Sequence, residues 1–373
     1  MSNARSPRRV LFVFGWLIVG GEETEARLLA RHLDPTRYTT EVVACVYKPN
    51  MPDQTHQQLE ALGVRVDRTP YGLVLEEKSA YLADKVTGYD LVVSFQGMPQ
   101  IVPALERAAR RPPLIEHGGV VVDASTTPKH LTTRYVGVCA AIREAAAALM
   151  PERPHHALEI PSMVDLTEFD AAERGRVRSE WGVPEDVPVI GWVTRLDRRK
   201  RVEDFIRAAA LVRDSHPEGR FVVIGGPDPF MPDYTDELRA LTRELGLEDV
   251  LTFLGDRPDV PRLLAGLDVF VLLSRDEGMT HVITEAGAAG LPVVATRDNG
   301  AVQQITDGVS GLFVPHEAPA AAAAALKRLI EDPSLRQRLG STLRRKVERE
   351  YSTEVVIPQW EALFAEVLAE ANP

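Results

Sequence analysis

The sequence predicts an α/β protein with two doubly wound parallel β-sheets, one in each half of the chain. Apolar runs of strand length alternate with segments whose apolar residues recur at helical spacing, a pattern typical of such sheets. A chain of 373 residues is also long for one domain. The alternation begins afresh at Pro188, after a connecting stretch at 162–170. We therefore expect one domain at 1–170, a second at 171–351 and a last helix at 352–373.

Composition excludes several classes of protein. Hydrophobic residues make up 45% of the chain and charged residues 26%, as in an ordinary soluble globular protein. The net charge of −11 argues against a general nucleic-acid binder, because phosphate backbones need a basic face. A small anionic ligand in a local basic pocket remains compatible with this charge.

The two cysteines and the terminal segments bear on location. Cys45 and Cys139 each lie in an apolar run without metal-ligand spacing, which predicts buried free thiols and a reducing cytoplasm. The first residues lack the apolar core of a signal peptide. The longest apolar runs are far shorter than the roughly 20 residues of a membrane span. We expect a cytoplasmic protein for which peripheral contact with a membrane stays open.

In the first half, Arg9–Phe14 is predicted to be a buried strand that leads through Gly20 and Gly21 into a helix. A glycine pair before a helix lets the backbone approach a ligand, although a simple tight turn explains it equally. No dinucleotide-binding glycine fingerprint is present. Another predicted strand, Pro113–Glu116, ends at His117, which places this side chain at the ligand edge of the sheet. Further strands are predicted at 40–46, 64–66, 89–95, 136–138 and 157–160, and helices at 22–33, 54–62, 99–109 and 141–149.

In the second half, a basic run stands between a strand that ends near Thr194 and a helix that begins at Glu203. Residues 198–201 are all basic, and phosphates bind between a strand end and a helix start in such sheets. A solvated surface is the plainer explanation of such a run. Further strands are predicted at 220–224, 250–254, 269–273 and 292–295, and helices at 280–290, 318–330, 335–350 and 351–370.

The segment from Val269 to Ala295 reads as strand, turn, helix and strand, with two carboxylates on it. Glu277 lies at the carboxyl end of the strand, and Glu285 lies within the helix. The helix N-terminus suits a phosphate. The two carboxylates could then hold hydroxyls on either side of that phosphate, as the layout of a sugar nucleotide requires. The alternative is that Glu277 is a solvated loop residue and Glu285 an ordinary helix residue, neither of which binds a ligand.

Together these motifs resemble those of the retaining glycosyltransferases of family 4, which have the B-type fold. Glu277–Glu285, followed by Ala-Ala-Gly at 288–290, is similar to the Glu-x7-Glu motif of that family. Arg195–Lys200 resembles its Arg-x4-Lys segment, and Gly20-Gly21 its glycine-rich loop. His117 takes the place of its cleft histidine, and 307–314 resembles its Asp-Gly-x-x-Gly segment. The resemblance covers nearly the whole chain and implies two Rossmann-like domains that face each other across a cleft.

The resemblance also implies an activity: metal-independent transfer of a sugar from a nucleotide-diphosphate donor of UDP, GDP or dTDP type, with retention and no further cofactor. Arg195 and Lys200 would neutralise the diphosphate, Glu285 would bind ribose, and Glu277 would hold sugar hydroxyls. The implied catalytic residues are Glu277, His117, Arg195 and Lys200. The implied donor-binding residues are Gly20, Gly21, Arg195, Lys200, Leu254, Glu277, Gly278, Met279, Thr280, His281, Val282 and Glu285.

The sequence departs from the family pattern in places. The linker motif Asn-Gly-Val-Asp reads Ser162-Met163-Val164-Asp165, Arg201 replaces a glycine, and Gln303 replaces a glutamate. The changes around Thr280 and His281 leave the donor sugar open. Two other functions remain: a catalytically silent nucleotide-sugar-binding partner, and a sugar-nucleotide epimerase, for which no acid–base carboxylates can be placed. A phosphorylase would need a far longer chain.

The acceptor is expected to contact the first domain through the loops at 15–21, 49–84 and 118–133, which contain no motif that identifies it. A small molecule, a lipid-linked molecule and a glycan all remain open, as does the oligomeric state. The last helix is expected to cross back onto the first domain.

Overall fold

The computed structural model describes residues 6–298 and 300–371, which form two compact units. The first unit consists of two chain segments, the residues up to Met163 and those from Thr353 onward. The second unit is Val164–Ser352. The first boundary thus falls between 163 and 164 rather than between 170 and 171. The stretch predicted as a connection belongs mostly to the second unit, where the backbone N–H of Val164 donates to the carbonyl of Tyr351 at 2.9 Å.

The first unit contains a sheet of seven parallel strands in the order β3-β2-β1-β4-β5-β6-β7. Alternate residues of β1 enter different cores, because successive side chains of a strand point to opposite faces. Phe12 packs in one core and Val13 in the other. Burial on both faces explains why the strand reads as an unbroken apolar run. The strands are β1 Arg8–Trp16, β2 Tyr38–Val46, β3 Arg65–Asp67, β4 Leu91–Phe95, β5 Leu114–Gly118, β6 Arg134–Gly137 and β7 Ala157–Glu159.

Helices connect these strands. The prediction missed α3 and α5, which lie inside stretches expected to be acceptor loops. Helix α5 has six residues, too few to show a helical period in the sequence. The helices are α1 Gly21–His32, α2 Gln54–Ala61, α3 Leu75–Val86, α4 Met98–Arg107, α5 Val121–Thr126 and α6 Ala140–Ala148.

The second unit contains a sheet of six parallel strands in the order β10-β9-β8-β11-β12-β13. The order reverses direction between β8 and β11, as in the first unit between β1 and β4. A reversal of this kind opens a crevice at the carboxyl ends of the strands. The strands are β8 Val189–Val193, β9 Arg220–Ile224, β10 Leu251–Phe253, β11 Val269–Leu272, β12 Val293–Thr296 and β13 Leu312–Val314.

Eight helices are described in this unit. The prediction missed α7, α9 and α10, although Pro232 at the first position of α9 is a recognisable helix start. The helices are α7 Arg174–Trp181, α8 Val202–Arg213, α9 Pro232–Glu244, α10 Val260–Leu264, α11 His281–Ala288, α12 Ala301–Gln304, α13 Pro319–Glu331 and α14 Pro333–Glu350.

The last helix, α15 (Thr353–Ala371), is part of the first unit. Trp360 and Phe364 are fully buried in the core that contains Phe12. Val356 also takes a core position, whereas the neighbouring Val355 is partly exposed. None of the helices in the described part of the chain has both the length and the apolar character needed to cross a membrane.

Candidate functional site

The turn between β11 and α11 carries Glu277, whose side chain is nearly buried. The backbone N–H of Glu277 donates to Oδ2 of Asp298 at 2.9 Å. A Cβ atom at position 300 would lie 2.2 Å from the carbonyl oxygen of Gly278, so only glycine fits there. The turn is therefore held by contacts from the segment after β12, and Gly300 and Asp298 are supporting residues that the sequence analysis did not single out.

The N-terminus of α11 follows this turn. The side chain of Thr280 makes no capping hydrogen bond to the first turn of the helix. Instead, its backbone N–H donates to Oε1 of Gln304 at 3.3 Å, and its carbonyl accepts from Nε2 of Gln304 at 2.8 Å. This glutamine holds the chain at the helix start, which is where backbone N–H groups can bind an anion.

Lys200 and Glu277 form an ion pair, although 77 residues separate them. Lys200 ends a short 3-10 turn, Arg198–Lys200, whose first residues are capped by Asp197: the Oδ1 atom of Asp197 accepts from the N–H of Arg199 at 2.7 Å. The strands β8 and β11 are neighbours in the sheet, so their carboxyl ends place this turn beside Glu277. Two residues predicted for the site are thus brought together.

Arg195, which follows β8, pairs with two nearly buried carboxylates. Its Nε atom lies 2.6 Å from Oδ2 of Asp228, and its Nη2 atom lies 3.5 Å from Oδ2 of Asp197. Asp228 in turn accepts from the N–H of Phe230 at 2.7 Å through Oδ1. The sequence analysis missed Asp228. Its place in the glycine- and proline-rich turn directly after the buried strand β9 was the available signal.

The basic run at 198–201 divides into different roles. Arg198 pairs with Glu237 and lies over the ring of Tyr234, with 4.9 Å between the guanidinium carbon and the ring centroid. Arg201 has a positive φ of 56° where the resembled family has a glycine, and it pairs with Asp204 at 3.0 Å. These two arginines stabilise their own surroundings, and Lys200 is the member of the run that contacts Glu277.

Other residues predicted for the donor also lie on the second unit, whereas Gly20 and Gly21 lie on the first. Glu285 is partly exposed on the second turn of α11, and Val282 is partly exposed on its first turn. Met279 and His281 are buried next to them. Leu254 follows β10, the edge strand two places from β8, and its N–H donates to the carbonyl of Val223 at 2.9 Å. Leu254 therefore lies at the carboxyl edge of the sheet.

His117 lies at the carboxyl end of β5 in the first unit and is 4% exposed. Its ring stacks on that of Trp360 at 5.9 Å between centroids and is tilted against that of Phe95 at 5.0 Å. Among the described residues, neither ring nitrogen has a hydrogen-bond partner, and Nδ1 is 3.4 Å from Oε1 of Glu22. The imidazole is therefore positioned by aromatic packing, and its two buried ring nitrogens have unused hydrogen-bonding capacity.

Gly20 and Gly21 begin α1 beside this histidine. Gly20 is extended and precedes the helix, and Gly21 is its first residue. Glu22, on the first turn, brings this helix start to His117. The predicted glycine loop and the predicted histidine thus belong to one site in the first unit.

The neighbouring Glu116 is buried and has its own partners. It accepts hydrogen bonds from Nζ of Lys129 at 2.7 Å and from Oγ1 of Thr132 at 2.9 Å. Burial raises the pKa of this carboxyl even though Lys129 opposes the rise. No cluster of three or more His, Cys, Asp or Glu side chains suited to a metal ion occurs within the described residues. Metal independence remains a prediction.

Comparison with known proteins finds sequence similarity for the second unit. Residues 173–346 match the sequence model of the family described as glycosyl transferases group 1. The chain is 34% identical over 194 residues to a D-inositol 3-phosphate glycosyltransferase of Corynebacterium kroppenstedtii, covering 50% of this chain and 43% of the relative. A protein of the same name from Corynebacterium jeikeium is 37% identical over 190 residues, covering 48% and 45%. The matches thus span less than half the length of these curated relatives.

A solved structure extends the likeness to nearly the whole chain. The crystal structure of Anabaena Alr3699/HepE in complex with UDP and glucose superposes with a TM-score of 0.83, at 21% identity, over 96% of this chain and 99% of that one. This likeness confirms the predicted fold class, two parallel-sheet domains of the B-type glycosyltransferase fold.

Proposed function

We propose that the protein is a retaining, metal-independent glycosyltransferase, because residues 173–346 match the sequence model of the glycosyl transferases group 1 family. It would move a sugar from a nucleotide-diphosphate donor to an acceptor hydroxyl. The observation that carries this proposal is the pairing of Lys200 with Glu277 next to the N-terminus of α11. A cation, a carboxylate and a helix start are combined there at the carboxyl edge of one sheet.

The cations would bind the diphosphate. Lys200 offers a mobile point charge and Arg195 a planar fork, and both suit phosphate oxygens. With the donor bound, Lys200 would exchange part of its contact with Glu277 for a phosphate oxygen. The backbone N–H groups near Thr280 and His281 would complete the phosphate site. Negative charge grows on the diphosphate as it leaves, so these contacts strengthen in the transition state.

The carboxylates would hold hydroxyls. Glu277 would accept from sugar hydroxyls near the anomeric carbon, and Glu285 from the ribose. The bond between the anomeric carbon and the phosphate oxygen breaks, and the acceptor oxygen forms its bond on the same face. The acceptor proton passes to the departing diphosphate. His117 would contact the sugar through a ring nitrogen, and Gly20 and Gly21 would let α1 approach the phosphates.

A uridine nucleotide is the first donor to test, because the solved structures that share this fold include complexes of Anabaena Alr3699/HepE with UDP and glucose and with UDP-glucose. GDP and dTDP sugars are the other members of the panel. The names of the curated relatives support a small polyol phosphate as one acceptor to include, although they match only about half of this chain. A cytoplasmic location belongs to the proposal, and the buried free thiol of Cys45 supports it.

The decisive experiment incubates the purified chain with a panel of nucleotide sugars and measures the free nucleotide released, first without and then with acceptor. We expect slow release from one donor, abolished in Lys200→Ala. A silent partner would bind a donor without releasing nucleotide. An epimerase would change the sugar and leave the donor intact. Either result would replace the proposed function.

A further inference from the structure

The first unit contains a cavity that the proposed function does not use. Its volume is about 330 Å³, and it is lined by Tyr47, Met51, Asp53, His56, Arg68 and Tyr71, together with a proline. Tyr47 directly follows β2, and Arg68 directly follows β3. The cavity therefore opens at the carboxyl edge of the sheet, where ligands bind in parallel α/β proteins. Its volume lies within the range of roughly 300–1,000 Å³ found for small-molecule sites.

Two aromatic rings form one wall of this cavity. Tyr47 is 54% exposed, a large fraction for an aromatic residue, and its ring centroid lies 5.3 Å from that of Tyr71. Tyr71 is held in place, because its hydroxyl lies 2.7 Å from Nε2 of the buried His56. The wall thus consists of one fixed ring and one ring with an accessible face. A flat apolar face of this kind favours a ligand that is itself flat and apolar on one side.

The charged groups of the cavity compensate each other. The Nη1 atom of Arg68 lies 3.2 Å from Oδ1 of Asp53, and its Nη2 atom lies 2.9 Å from Oε1 of Glu60. Burial, helped by the charge of Arg68, lowers the pKa of His56, so this imidazole is neutral near pH 7. Of the charged groups that line the cavity, the Arg68 guanidinium thus faces the Asp53 carboxylate, and Glu60, outside the lining, also pairs with Arg68. The described lining residues therefore carry no excess positive charge to attract a phosphate or a carboxylate.

The polar atoms nevertheless remain accessible. The side chains of Arg68 and Asp53 are 39% and 49% exposed, so each can offer further hydrogen bonds to a ligand. Arg68 supplies donors and Asp53 supplies acceptors. An apolar ring face beside a balanced donor–acceptor pair matches a sugar ring, which has one C–H face and a periphery of hydroxyls.

We propose that this cavity binds a neutral glycosyl unit of the acceptor substrate. The C–H face of the sugar would stack on Tyr47, and its hydroxyls would accept from Arg68 and donate to Asp53. That the bound sugar belongs to an acceptor substrate rests on the proposed function. The inference narrows that acceptor to a carbohydrate without a phosphate at this position. It assigns acceptor recognition to the loops after β2 and β3.

The test is a binding titration of the full chain by saturation-transfer NMR. The neutral probes are the methyl α-glycosides of glucose, galactose, mannose and N-acetylglucosamine and the disaccharide maltose, and the anionic probe is glucose 6-phosphate. We expect at least one neutral probe to bind and glucose 6-phosphate to bind no more tightly. Tyr47→Ala should weaken that binding roughly two- to twelvefold, which corresponds to an aromatic stacking contact of about 0.5–1.5 kcal/mol. Leu75→Ala, which removes a 75% exposed apolar side chain of the same unit, should not.

Donor hydrolysis, followed as free nucleotide, separates this inference from the proposed function. If hydrolysis occurs but no neutral probe binds, or Tyr47→Ala binds like wild type, the cavity assignment is overturned and the function stands. If no donor is hydrolysed but Tyr47-dependent sugar binding persists, the function fails and the sugar site stands. Tighter binding of glucose 6-phosphate that is lost in Arg68→Gln would overturn the neutral-ligand assignment.

Discussion

The indole N–H of Trp360 donates a hydrogen bond of 3.1 Å to Oε1 of Glu25, across 335 residues of sequence. Both side chains are buried, and the other carboxylate oxygen of Glu25 accepts from the backbone N–H of Met163 at 3.4 Å. The carboxylate of Glu25 on α1 thus binds both α15, through Trp360, and Met163, where the first of the two chain segments of this unit ends. Because Trp360 stacks on His117, this hydrogen bond also supports the candidate histidine.

We expect Glu25→Ala to destabilise the first unit by about 1–3 kcal/mol, since it leaves the buried indole N–H without this acceptor. Urea unfolding followed by tryptophan fluorescence measures the change. Glu354→Ala, at an exposed position of α15, the helix that carries Trp360, is the matched control and should behave like wild type. Equal midpoints for Glu25→Ala and wild type would show that the hydrogen bond contributes nothing to stability.

For the phosphate contacts, we expect Lys200→Ala and Arg195→Ala each to lower kcat/KM at least about a hundredfold without unfolding the protein. A charge-assisted hydrogen bond typically contributes about 1.5–3 kcal/mol, and more where charge develops in the transition state. Steady-state kinetics with the donor found in the nucleotide-sugar panel measures the loss. Arg198→Ala removes a cation from the same turn that pairs with Glu237 instead, so it should retain activity. Normal turnover in both site variants would refute their assignment to the diphosphate.

Asp228 should act through Arg195. Replacing it with asparagine removes the charge 2.6 Å from the guanidinium Nε and should lower kcat/KM about tenfold, the loss of roughly one charge-assisted contact. A double-mutant cycle distinguishes positioning from a general structural effect. In the Arg195→Ala background, Asp228→Asn should cause little further loss. Fully additive losses would mean that the two residues act independently.

Removal of metal should not affect the reaction. With Arg195 and Lys200 supplying positive charge to the diphosphate, we expect EDTA to leave the transfer rate unchanged. The assay compares rates with EDTA, with added magnesium and with added manganese. A rate that disappears with EDTA and returns with either ion would assign the diphosphate to a metal.

Stability of the first unit should fall at acid pH because of a buried cluster around Lys85. Lys85 lies 2.8 Å from Oδ2 of Asp67 and also pairs with Glu41. Burial alone would raise the pKa of Asp67, but hydrogen bonds from Lys85, Tyr81 and Thr69 outweigh it and hold this pKa well below its usual range. The pKa of Glu41 is lowered in the same way, against its burial, by Lys85 and a tyrosine.

A carboxyl whose pKa is lower in the folded state stabilises the fold above its unfolded pKa of about 4 and loses this contribution as the pH falls further. We therefore expect the melting temperature of wild type to drop below about pH 5. Lys85→Met should be less stable at pH 7, because it removes the ammonium partner of Asp67 and Glu41, and should lose less on acidification. Lys48→Met, at an exposed lysine, is the control. Parallel pH profiles for Lys85→Met and wild type would contradict this account.

The sequence by itself determined the elements and the fold class. Strands such as β9 were predicted at their exact bounds, because a run of apolar residues buried on both faces of a sheet is a local signal. The Glu277–Glu285 and Arg195–Lys200 motifs were likewise readable, since their spacing is local. The short helix α5 and the helix α3 escaped prediction, because six residues show no period and because α3 begins with the exposed Leu75.

The tertiary structure alone decided which charges meet. Among neighbouring basic residues, Lys200 pairs with Glu277 while Arg198 pairs with Glu237, and nothing in their order distinguishes them. Asp228 reaches Arg195 because β8 and β9 are neighbours in the sheet, and Trp360 reaches Glu25 because α15 packs in the first core. Such pairs depend on strand order and on the return of a distant helix. Neither is set by local spacing, because both follow from burying many apolar side chains at once.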